Sequence, residues 1–76
     1  MQAQGKPRFI ILTAFHGSEP YPVRVNVDHI IAYCEANGYG APRTYVKRTG
    51  DEANEVMVVK ETPDQIDQLI DKVFEL

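Results

Sequence analysis

The chain has 76 residues, 43% of them hydrophobic and 25% charged, with a net charge of −3, one cysteine and two histidines. A domain of that size buries only about 60% of its unfolded surface, and the lone Cys34 excludes an intrachain disulfide. Cys34, His16 and His29 lack metal-ligand spacing, no apolar run approaches the ~20 residues that cross a bilayer, and the acidic balance argues against a surface given over to nucleic acid.

Residues 1–7 are polar, carry Gly5 and Pro7, and read as a loose tail ahead of a single domain over residues 8–76. The N-terminal MQAQGKPR has no apolar segment of the signal-peptide kind. With one unpaired thiol, the expected address is cytoplasmic.

Arg8 to Phe15, RFIILTAF, is rich in strand formers and ends at the turn-like HGSEP. Both of its faces are apolar, with Ile10 and Leu12 on one and Phe9 and Ile11 on the other. A strand with one wet face should alternate more cleanly. Either this strand is central in a layered fold or its second face meets a partner.

Tyr21 to Asn26, YPVRVN, alternates, with Val23 and Val25 on one side and Arg24 on the other. Pro20 and Pro22 have no N–H to give a ladder, which places this strand at a sheet edge. Val27 to Asn37 reads two ways. Val27, Ile30, Ile31 and Cys34 fall at i, i+3, i+4 and i+7, a helical stripe that Asn26 and Gly38 can cap. The same residues also make a strand, with Ile31 and Tyr33 on one face and Ile30, Ala32 and Cys34 on the other.

Asn37 to Pro42, NGYGAP, is a loop, its Gly38 and Gly40 suited to positive φ. Arg43 to Arg48 and Glu55 to Lys60 read as two strands of a hairpin joined by the turn TGDEAN. Thr62-Pro63-Asp64-Gln65 fits a capping box, with Pro63 at the first helical position and Asp64 and Asp67 near the positive end of the helix. Ile66, Leu69, Ile70, Val73 and Phe74 then form one apolar stripe. So short a helix is marginal alone, so its stripe must lie on the sheet.

The order ILT (11–13), Gly17, VNVDHI (25–30), a strand from about Thr44, and VKET (59–62) before an amphipathic helix resembles the small flagellar FlbD family and its phage and prophage-like relatives. The resemblance spans roughly residues 9–70. It implies that residues 28–35 are a strand, and that the protein is a regulatory or accessory one with no enzymatic activity. The Asn37–Pro42 loop and the Gly50–Asn54 turn are longer than that family's compact hairpins, and such loops tend to carry binding surfaces. The expected fold is therefore α+β: an antiparallel sheet of four to five strands with one C-terminal amphipathic helix packed on it.

No catalytic arrangement stands out. His29 and Cys34 are five residues apart and face opposite sides of a strand, reading as a surface histidine and a buried thiol rather than a nucleophile and its base. No cofactor and no metal are expected. Arg43, Tyr45 and Lys47 alternate onto one side of a strand, where two cations flanking a ring can hold a phosphate and stack a base. Arg48, Asn37 and Tyr39 complete this candidate ligand site, which Arg24 and Lys60 can extend if their strands are neighbours. The other candidate surface is an oligomer interface of Phe9, Ile11, Val56 and Val58, an apolar face beyond what one helix can cover.

The leading expectation is thus a non-enzymatic regulatory or adaptor protein that binds another protein, self-associates, and, on the phage-like flavour of the resemblance, inhibits a host protein. The alternative is an oligomeric sponge that sequesters a nucleotide or cyclic nucleotide signal in pockets between subunits. Neither a membrane nor a nucleic-acid partner is expected.

Overall fold

The computed structural model describes residues 8–52 and 54–75, so the expected tail over residues 1–7 lies outside the described residues. Its elements are β1 (Phe9–His16), β2 (Glu19–Asn26), a 3-10 turn (Val27–His29), β3 (Ile30–Ala36), β4 (Arg43–Arg48), β5 (Met57–Val59) and α1 (Pro63–Phe74). The five strands form one sheet in the order β2-β1-β5-β4-β3, every pair antiparallel. With α1 packed on it, this is the expected α+β fold.

β1 and β2 pair along their whole length around a two-residue turn, from Phe9↔Asn26 to His16↔Glu19. Hydrogen bonding in an antiparallel strand alternates from side to side. On β1, Arg8 C=O accepts from Val27 on the β2 side, while Thr13 C=O accepts from Lys60 on the β5 side. By that alternation Glu19, Tyr21, Val23 and Val25 serve the β1 ladder. Pro20 and Pro22 therefore meet the outer edge, where a missing N–H costs nothing, and β2 is the edge strand its prolines predict.

The two readings of residues 27–37 resolve into a short helical piece and a strand. Asn26 does act as a cap, its Oδ1 accepting from Asp28 N–H at 2.9 Å, but the 3-10 turn lasts three residues. β3 then pairs with β4 from Ile30↔Arg48 to Ala36↔Arg43, with a bulge between Ile30 and Ala32. Bulged Ile31 is exposed. Gly38 and Gly40 in the following loop have φ of 96° and 73°, the left-handed region that an L side chain resists.

The hairpin of β4 and β5 forms as read, though β5 is only three residues long. α1 starts with the full capping box: Thr62 Oγ1 accepts from Gln65 N–H at 3.1 Å, and Gln65 Oε1 accepts from Thr62 N–H at 2.9 Å. Its Ile66 is fully buried among Ile10, Leu12, Ala14, Val25, Val27, Val46 and Val59, with Leu69, Ile70 and Val73 packed alongside. Phe74 ends the stripe half exposed, beneath the Arg8 guanidinium at 4.5 Å.

Two polar ties hold the helix start to the sheet. Thr44, fully buried, donates its hydroxyl to Glu61 C=O at 2.5 Å. Both Glu61 carboxylate oxygens accept from Thr13, one from its N–H at 2.8 Å and one from its hydroxyl at 2.9 Å.

Candidate binding face

The ladder registers separate the two faces of the sheet. Ala14, Val59 and Thr44 lie side by side on the helix face, with Val46 opposite Met57. One residue along, the side chains point the other way. There Phe15 and Val58 come into line with Tyr45, and Tyr45 pairs with Cys34 on β3. An apolar and aromatic row thus runs across the face that α1 leaves uncovered.

The expected interface residues sit on this face but not in one spot. Phe9 and Ile11 project from the first half of β1 at 48% and 56% exposure. Val56, at 44%, precedes β5 toward the opposite end, and half-buried Val58 lies between. Ile11 is opposite Arg24 and Phe9 opposite Asn26 on β2.

The candidate ligand residues are partly gathered and partly dispersed. Arg43, Tyr45 and Lys47 share the uncovered face as expected, opposite Ala36, Cys34 and Ala32. Tyr39 reaches over from its loop to meet Tyr45 edge-on, ring centroids 6.3 Å apart, and its hydroxyl pushes the Tyr45 phenol above its ordinary pKa. The Arg43 guanidinium stacks on Phe15 at 4.2 Å and donates to Pro42 C=O at 3.1 Å. Lys60 is close by, following β5, the neighbour of β4.

The other cations are engaged or distant. Lys47 Nζ donates to the carbonyls of Glu52 and Glu55, the latter at 3.0 Å, and so anchors its own turn. Arg48 points to the opposite side of β4 from Lys47 and pairs with Asp51 at 3.1 and 3.2 Å, holding that carboxyl below its usual range. Arg24 belongs to β2, with β1 and β5 between it and β4. It borders a separate depression with His29 and Arg48. Asn37 is exposed in its loop.

One expectation is overturned. Cys34 is exposed, not a buried thiol. Its strand lies at the outer edge of the sheet, and its side chain points to the uncovered face. His29 is exposed in the 3-10 turn, so the surface-histidine reading stands.

A feature with no local signal in the sequence is a cleft of about 740 Å³ between the uncovered side of β1 and the flank of α1. Ile11, Thr13 and Arg43 contribute from the sheet, Lys60 from the connection, and Leu69 and Lys72 from the helix. These positions span most of the chain, so only the fold assembles them.

Comparison of the chain with protein-family models, with curated proteins and with solved structures finds no match.

Proposed function

We propose that this chain is a small non-enzymatic regulatory or adaptor protein that acts in the cytoplasm by protein binding and self-associates through the uncovered face of its sheet. The observation that carries the reading is the exposure of Phe9 and Ile11 beside one another on that face. Each such side chain contributes ~1.5–3 kcal/mol when buried. A symmetric contact uses each of them twice, once from each subunit. The resemblance to FlbD-like proteins and their phage relatives supports a regulatory role, with inhibition of a host protein as its specific form. Sedimentation velocity at micromolar concentration should find a dimer or higher assembly, and Phe9→Asp should return it to monomer. A stable monomer from the unaltered chain would overturn the self-association.

A second reading, a nucleotide-sequestering oligomer, is favoured by the grouping of Arg43 with Tyr45 and Tyr39 on the uncovered face. It has fewer free cations than expected, because Lys47 is held by its own turn. A thermal-shift screen with mono-, di- and cyclic nucleotides separates the two. A large shift lost in Arg43→Ala would favour the sponge, and no shift the adaptor.

A further inference from the structure

β1 carries an unfinished edge. It pairs with β2 over all eight residues, but with β5 only around Ala14↔Val59. After Lys60 donates to Thr13 C=O at 2.9 Å, the chain turns away into α1. Thr13 N–H, which a neighbouring strand would otherwise serve, is satisfied by the Glu61 carboxylate at 2.8 Å. Two residues earlier, Ile11 presents its N–H and C=O in the same direction. Among the described residues neither has a partner there.

That free edge opens on the 740 Å³ cleft. The cleft has an apolar wall of Ile11 and Leu69, and Arg43, Lys60 and Lys72 around it. Among the described residues its one lining carboxylate, Glu61, already accepts from Thr13 through both oxygens. The result is a cationic site on a chain of net charge −3. The outer edges of the sheet are less receptive: Pro20 and Pro22 blunt β2, and the bulge at Ile31 and the charge of Glu35 interrupt β3.

We propose that this cleft takes an extended, acidic segment of a partner protein as an added strand against β1. Ile11 N–H and C=O supply the ladder bonds, and Arg43, Lys60 and Lys72 receive the carboxylates. Main-chain pairing gives such a site affinity, and its flanking side chains give it selectivity. The proposal rests on the protein-binding reading above; the cleft shares Ile11, but not Phe9, with the self-association face, so a peptide and a second subunit compete for Ile11.

The test is fluorescence anisotropy with a blocked, labelled peptide of alternating valine and glutamate. The controls are its valine–lysine counterpart, the acidic peptide N-methylated at alternate residues, and free glutamate as competitor. The acidic peptide should bind, weaken with salt, and lose about tenfold in K60E/K72E, since reversing rim charges turns attraction into repulsion. N-methylation should abolish binding by removing the ladder donors. The proposal is overturned if neither peptide binds, if the basic peptide binds as well as the acidic one, or if the N-methylated peptide matches its parent. Displacement by free glutamate as effectively as by unlabelled peptide would equally overturn it, leaving a small-anion site. Neither lysine side chain makes a hydrogen bond or ion pair among the described residues, so K60E/K72E should keep the fold, which circular dichroism verifies. The F9D variant separates this idea from self-association: it should lose assembly and retain peptide binding.

Discussion

Glu61 occupies a place where a single side chain stands in for a missing strand. Its carboxylate serves both Thr13 N–H and the Thr13 hydroxyl, while its carbonyl serves buried Thr44. Replacing it with alanine leaves the carbonyl in place but orphans the Thr13 donors in a partly buried site. The expected loss is ~1–3 kcal/mol, the cost of leaving a donor unsatisfied. Urea unfolding should report it as a lower midpoint with an unchanged slope. Glu61→Gln should recover much of that loss, since its amide oxygen can still accept from Thr13 N–H. Tyr33 offers a second residue-level check. Its hydroxyl donates to Asp67, and that bond, then partial burial and the charges of Asp67 and Asp71, push its pKa up to about 12. The fold thus favours the neutral phenol over the ordinary value of 10.0. Its contribution to stability is whole below pH 10 and is lost as the pH climbs toward 12. Tyr45 is raised as well, so Tyr33→Phe should remove one of the late-ionising components of the tyrosinate absorbance and leave the other, and the variant's stability should fall less steeply across that window.

At the level of elements, legibility followed the strength of local chemistry. The Thr62–Gln65 box and the five-residue apolar stripe left α1 with one reading, and the structure has both. Residues 27–34 satisfied helix and strand periods together, and the fold uses each in turn: a capped 3-10 turn, then a bulged strand. Cys34 is exposed where a buried thiol is expected, because inside and outside on β3 depend on which face α1 covers, a tertiary fact that periodicity does not contain. The prolines of β2 were readable because a missing N–H is tolerated at few places in a sheet. They also support a prediction. Replacing Pro20 and Pro22 with threonine restores two outward N–H donors and creates a pairable edge. The double variant should form larger assemblies over time by light scattering and bind thioflavin T. If it stays as dispersed as the parent, the prolines are not protecting that edge.

At the scale of the whole molecule, the sheet has two faces and, among the described residues, one short helix to cover them. The core on the helix side is complete, with Leu12, Val46, Val59 and Ile66 fully buried. The other side keeps Phe9 and Ile11 about half exposed, and its cleft exists only because β5 leaves β1 after a single bridged pair. That departure was hidden in the sequence: Glu55 to Lys60 reads as a full strand, and nothing local marks where it parts from β1. A chain this small has little stability in reserve, so covering Phe9 and Ile11 should matter to folding itself. If subunits associate through them, unfolding is coupled to dissociation, and mass action raises the melting temperature with protein concentration. The midpoint should therefore climb by several degrees over a hundredfold concentration range in differential scanning calorimetry, and should be flat for F9D. A concentration-independent midpoint for the unaltered chain would mean that a lone subunit tolerates its open face, and that the face serves a different protein instead.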